Sequence, residues 1–160
     1  MRNLVIYGTG GHARVIKDLA ALNGHEVDGY FDDQSANGRY DATKFADDDM
    51  IIAIGNNQVR QQISEKVKHN FGTLVHPRAI VAGDVQVSEG TVILAGAVVQ
   101  SNATIGRHVI INASACVDHD AVIEDFVHIA PFAYIGGGAV IRSGVHIQPG
   151  EIILRNTEVK

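Results

Sequence analysis

The second half of the chain carries a hydrophobic pattern with a period of six. From Val75 to Ile153 every sixth residue is Val or Ile, through Val81, Val87, Ile93, Val99, Ile105, Ile111, Val117, Ile123, Ile129, Ile135, Ile141 and Ile147. Four residues after each stands a small or β-branched residue, from Ala79 to Val145, until Glu151 breaks the series. Six residues turn an α-helix by about 600°, so these positions would scatter around it. A simple strand alternates with period two and does not select one residue in six. A β-branched residue and a small residue repeated every six predict a parallel β-helix, in which each coil buries its inward residues by stacking on the next.

The first half alternates between strand and helix patterns. Asn3–Tyr7 predicts a strand and Gly8-Thr9-Gly10-Gly11-His12-Ala13 a turn. A helix follows over 13–22, with apolar Val15, Ile16, Leu19, Ala20 and Leu22 and a stop at Asn23-Gly24. Val27–Phe31 predicts a second strand ending in Asp32-Asp33, and Gln34–Asp49 a polar loop. Met50–Ile54 predicts a buried strand, and Gln58–His69 a helix with Val59, Ile63 and Val67 inward. This order is that of a small parallel α/β domain, Rossmann-like over residues 1–74, followed by the β-helix over 75–160. No Gly/Ser linker separates the halves, so they are expected to pack tightly.

Composition narrows the picture. At 46% hydrophobic and 19% charged, the 160 residues read as an ordinary globular protein. A net charge of −5 without a basic cluster argues against nucleic-acid binding. Aromatics are 6% and Trp is absent, so the core rests on Val, Ile, Leu and Ala. Cys116 is the single cysteine, which forbids an intrachain disulfide and fits a reducing compartment. The N-terminal apolar run is too short for a signal peptide, and no window holds 18 consecutive apolar residues. A cytoplasmic protein without membrane insertion is expected.

Two places can carry chemistry. Gly8-x-Gly10-x-x-Ala13, between a strand and a helix, lets the backbone approach phosphates at a helix N-terminus, and Asp32 lies at the distance of a ribose contact. The first half is too small for a dinucleotide, so a single nucleotide diphosphate fits better. In Val117-Asp118-His119-Asp120, a neutral His119 can take a proton from an attacking amine or hydroxyl, and Asp120 can orient its ring. Asn112 is a polar neighbour able to position a sugar or Asp120. The six-residue repeat resembles the left-handed β-helix of the hexapeptide acyltransferases, where three hexapeptides make an 18-residue coil; that implies that His119 and His128, nine residues or half a coil apart, point to different sides of the solenoid. A site using both would lie between two subunits. His146, 18 residues after His128, should stack on it. The histidines lack the close spacing of a metal site.

YGTGGHA, FDD at 31–33, IAIGNN at 52–57 and INASACVDHDAVIEDFVHIAP together resemble the hexapeptide-repeat acyltransferases. Within them the chain looks like the bacterial sugar-nucleotide N-acetyltransferases and their relatives, the sialic-acid O-acetyltransferases. The resemblance implies a left-handed β-helix, a homotrimer and acetyl-CoA as co-substrate, with no metal. It implies His119 as general base with Asp120 as helper. Gly10, Gly11, His12, Asp32, Asp33, Gly55 and Asn112 would hold a nucleotide-linked sugar, and His128 and Gly137 the acetyl-CoA. The helper is often Glu in that family; Asp120 is a shorter arm. The repeat is expected to end at Ile153, a little over four coils, with the polar stretch 155–160 as a cap. Fewer coils than the family's would weaken the acetyl-CoA site. O-acetyl transfer to a sialic acid, or sugar-nucleotide binding without catalysis, are the alternatives.

Overall fold

The computed structural model describes residues 3–35 and 38–160. The expected loop over 34–49 therefore falls partly outside the described residues. Strands β1 (Leu4–Tyr7), β2 (Val27–Phe31) and β3 (Asp49–Ile52) form a parallel sheet in the order β2–β1–β3. Helix α1 (Gly11–Leu22) crosses from β1 to β2, and α2 (Asn57–Lys66) follows β3. Register pairs Tyr7 with Phe31 and with Ile52, so the carboxyl ends of all three strands meet at one edge.

β1 is apolar throughout because both of its faces are covered. Leu4 and Ile6 pack with Ala13, Ile16, Leu19 and Ala20 of α1. Val5 and Tyr7 face the other way, against Phe31, Met50, Ile52 and Ile63. α2 departs from the expected face: Ile63 is buried, but the other buried residue of the helix is Arg60, and Val59 is 41% exposed. The apolar spacing of Val59, Ile63 and Val67 hides a helix whose inner face is partly polar.

The rest of the chain is a parallel β-solenoid. β4 is Leu74–Val75, and each later two-residue strand starts six residues on, ending with β18 at Glu158–Val159. Each strand pairs in parallel with the strand 18 residues away, giving three five-stranded sheets and five coils. The first sheet is β4–β7–β10–β13–β16, the second β5–β8–β11–β14–β17 and the third β6–β9–β12–β15–β18. The second residue of each strand points inward, and with the small residues of the repeat it forms one continuous core. The fifth coil corrects the expected cap. Thr157 and Val159 continue the two six-residue series, β18 pairs with β15, and Val159 packs on the core. Glu158, between them, faces outward.

Corners between strands share one backbone device. Every sixth residue from Gly90 to Asn156 has positive φ, including His108, Ser114, Asp120, Phe126 and Phe132. Single residues in this conformation are tolerated by Asn, Asp and His better than by bulky side chains. Stacking compensates at Phe126, whose ring lies on His108, itself edge-on to Phe71.

The α/β part sits on the first sheet. Leu74, Val92 and Ile110, the outward residues of β4, β7 and β10, join Leu94 and the α1–β1 cluster in one core. The expected tight packing of the two halves is present. His128 and His146, the outward residues of β13 and β16, stack with centroids 4.6 Å apart. Asn57 at the start of α2 donates to the carbonyls of Gly144 and Val145.

His108 is fully buried, and neither ring nitrogen has a hydrogen-bond partner. Burial, and then the Arg107 and Arg60 charges, push its pKa down to about 4. The unfolded chain binds its proton near the ordinary value of about 6.5. Stability from the neutral ring is thus fully present above pH 6.5 and is lost as pH falls towards 4. Denaturant midpoints measured between pH 7 and 4 should fall, and His108→Phe should flatten that fall.

Candidate functional site

The parallel order β2–β1–β3 leaves a crevice outside the strand carboxyl ends, beside the central strand where the order reverses. Tyr7, Gly8, Asp32, Asp33, Ile54 and Lys66 line a cavity of about 360 Å³ there. Gly8 has φ +116°, and a Cβ on it would lie 2.9 Å from the Ile54 side chain. The turn therefore needs glycine. Thr9 donates to Asp32, and this bond holds the Asp32 carboxyl below its ordinary pKa. Lys66 pairs with Asp33, lowering the acid and raising the amine, and its ammonium lies 5.4 Å from the Tyr7 ring centroid. The cavity mixes acceptors, a cation and an aromatic ring.

Gly10 and Gly11 lie outside this cavity, exposed at the start of α1, whose first turn has no side-chain cap. Its free N–H groups can meet an anion. His12 faces the solenoid and lines a second cleft of about 350 Å³ with Leu19, Leu94 and Asn112. Its Nε2 is buried without a partner.

Asn112 and His128 meet at this junction. Asn112 accepts from the N–H of Ala113, which orients its amide, and its Nδ2 lies 3.2 Å from His128 Nε2. Nε2 must then accept, so Nδ1 carries the proton and faces the Gly55 carbonyl at 3.4 Å. The ring is neutral in this pattern. Burial, and then His146 and Arg60, lower the His128 pKa to about 4, and burial and Arg60 do the same for His12.

His119 stands elsewhere, on the corner from β11 in the second sheet to β12 in the third. That corner lies opposite the first sheet, which carries His128. Asp118 accepts from the His119 backbone N–H and from the Tyr134 hydroxyl. His119 Nδ1 lies 2.6 Å from Asp120 Oδ2, and Asn102, one coil away, donates to Asp120 Oδ1. The bond to Asp120, and then the charge of Asp118, raise the His119 pKa above its ordinary value. Asn102 and His119 in turn lower that of Asp120. With Nδ1 held by the carboxylate, Nε2 is the free proton acceptor.

Gly137 lies one coil beyond His119, and a Cβ on it would come within 2.9 Å of His119 Nε2. Its bare backbone packs close beside that nitrogen, on a ring that is about half exposed. Among the described residues no group of three His, Cys, Asp or Glu side chains could hold a metal ion, and no helix is long and apolar enough to cross a membrane.

The residues anticipated from sequence thus fall into two sets. Gly55, His12, Asn112 and His128 gather where the α/β part meets the solenoid, with Asp32 and Asp33 at the strand ends above. His119, Asp120 and Gly137 gather at the far corner. Sequence reasoning missed Asn102, Tyr134, Lys66 and Arg60. The 18-residue coil predicts Asn102 under Asp120; nothing local marks Lys66 or Arg60.

Comparison with known proteins places this arrangement. The PglD N-terminal domain model matches residues 3–67. UDP-N-acetylbacillosamine N-acetyltransferase of Bacillus subtilis is 36% identical over 56% of this chain and half of its own length. The acetyltransferase domain of PglB from Neisseria gonorrhoeae is 30% identical, with a TM-score of 0.75 over all of this chain and 92% of that one. That domain has also been solved with acetyl coenzyme A. A histidine-to-asparagine variant of perosamine N-acetyltransferase from Caulobacter crescentus, solved with CoA and GDP-perosamine, is 26% identical with a TM-score of 0.82 over 99% of this chain and 85% of that one. With the α/β sheet, the five-coil solenoid and this likeness in sequence and structure, the chain belongs to the PglD-like sugar N-acetyltransferases.

Proposed function

We propose that this chain transfers an acetyl group from acetyl-CoA to the amino group of a nucleotide-linked amino sugar, with His119 as general base. The observation that carries the reading is the Asn102–Asp120–His119 hydrogen-bond chain, which leaves Nε2 of a half-exposed ring beside the bare backbone of Gly137. The cavity at Asp32, Asp33 and Lys66 supports a nucleotide diphosphate, and the relatives solved with CoA and GDP-perosamine support the pairing of substrates.

Acetyl-CoA supplies the acetyl group as a thioester, and the fit of its narrow acyl end rests on the missing side chain at Gly137. As the amine nitrogen bonds to the acetyl carbon and the carbon–sulfur bond breaks, His119 Nε2 takes the nitrogen's proton and can pass it to the departing thiolate. Asp120 holds the ring with Nε2 unprotonated and stabilises the cation that forms. Backbone N–H groups of the coil stabilise charge on the acetyl oxygen, and His128 of a neighbouring subunit lines the acetyl-CoA side of the site.

His119 and His128 stand on opposite sides of one solenoid, so a site using both needs a second copy. An outward apolar column on the second sheet supports a homotrimer with sites between subunits. Ile80 and Ile152 are 68% and 66% exposed there, with Val98, Cys116 and Tyr134 between them.

A panel of UDP-, GDP- and dTDP-linked amino sugars with acetyl-CoA should release free thiol and yield an acetamido product. No release with any member contradicts the reading. His119→Ala should lower kcat/KM by about 100- to 10,000-fold with an unchanged circular dichroism spectrum. The base must be neutral, so the rate should fall as pH drops through its raised pKa. Asp120→Asn removes the largest cause of that rise, so the acidic limb of kcat/KM should move to lower pH while its plateau drops. Gly137→Ala should fold, because the two shortest contacts fall on the free end of the His119 ring and the backbone oxygen of His119 is 3.3 Å away. Its turnover should nevertheless fall by about tenfold or more, as a misplaced catalytic group predicts.

A further inference from the structure

We infer that Arg60 is a positioning residue for acetyl transfer: its buried guanidinium ties the Gly55 turn to two corners of the solenoid and so fixes where that turn meets His128. The inference rests on the functional reading above.

Arg60 is 1% exposed. Five hydrogen bonds hold it, and every acceptor is neutral. Nη1 donates to the carbonyls of Ile54 at 2.9 Å and Gly55 at 3.3 Å. Nε donates to the carbonyl of His108 and Nη2 to that of Phe126, each at 2.9 Å. Nη2 also donates to Asn57 Oδ1 at 2.8 Å. A buried cation bound only to neutral acceptors is costly, and burial lowers its pKa to about 10. A core position with no task beyond packing would be filled as well by an aliphatic side chain.

The acceptors explain what the cation does. Ile54 lines the strand-end cavity, and the Gly55 carbonyl faces His128 Nδ1. His108 and Phe126 are positive-φ corner residues one coil apart, at the corner leading from the third sheet to the first. One planar fork thus spans the turn after β3 and two successive coils. Asn57, bound to the guanidinium, also anchors α2 to Gly144 and Val145 on the next coil. The sheet packs on β4, β7 and β10 through apolar contacts, which set no register by themselves. The fork supplies directional bonds beside His128, and its charge helps keep His12 and His128 neutral.

Arg60→Lys keeps the charge but replaces the fork with a point donor that cannot reach all five acceptors. In the full-length protein, the KM for the nucleotide sugar should rise about tenfold or more, because buried carbonyls lose their partners and the turn shifts. The acetyl-CoA Kd, by calorimetry, should change less than twofold. Asn57→Ala leaves the arginine in place but removes one support. It should give the same split at smaller size, and it carries the test if Arg60→Lys does not fold. Parallel loss of both substrates, or no change in either, overturns the inference. If the wild-type protein transfers no acetyl group, the functional reading fails. The clamp is then read by amide hydrogen exchange, where either variant should speed residues 54–57 relative to 4–7. Equal rates in the two segments would overturn it.

Discussion

The 18-residue stacking of the solenoid is the constraint on which the rest depends. Each strand pairs with the one 18 residues away, so every outward residue stands over its counterpart in the next coil. The inward Val and Ile residues make that register costly to shift, since a slip of one residue would expose the core. The same register builds the site. It sets Asn102 against Asp120, Gly137 against His119, and His146 against His128. No turn by itself holds Asn102, the His119–Asp120 pair and Gly137 together; three successive coils do.

The α/β part uses this rigid face as a floor. Leu74, Val92 and Ile110 extend the layer that α1 makes on one face of the sheet, and they share one core with α1 and β1. The strand-end cavity and the histidine junction are consequently fixed to the two successive coils that carry Asn112 and His128. Neutral histidines line that junction because it is buried beside Arg60. His119, exposed beside two carboxylates, has its affinity for protons raised instead. One chain thus holds imidazoles of opposite character, suited to polar contact at one site and to proton transfer at the other.

Much of this was legible in the sequence. The period of six gives the solenoid, and its multiple of three gives the stack of His128 on His146. The glycine turn and the two aspartates at 32 and 33 mark the strand-end cavity. Three features escaped. Glu151 masked the fifth coil, because an acid at the small-residue position was read as a break although Thr157 and Val159 continue the series. Positive φ every sixth residue was hidden because Phe, His and Ser occupy corners that glycine or asparagine would have announced. Arg60 was invisible because its partners are backbone carbonyls distant in sequence. Periodicity reports what a side chain is, and not which main-chain groups it meets.

The account depends most on one site being assembled from two copies of the chain, with His119 from one and His128 from its neighbour. Mixing subunits tests this directly. His119→Ala and His128→Ala proteins are each prepared, found inactive as pure assemblies, then unfolded together, refolded and assayed. Mixed assemblies hold some interfaces where an intact His119 meets an intact His128, so the account predicts that acetyl transfer returns to a sizeable fraction of wild type. Mixtures that stay as inactive as either parent, with subunit exchange confirmed by mass spectrometry, would contradict it.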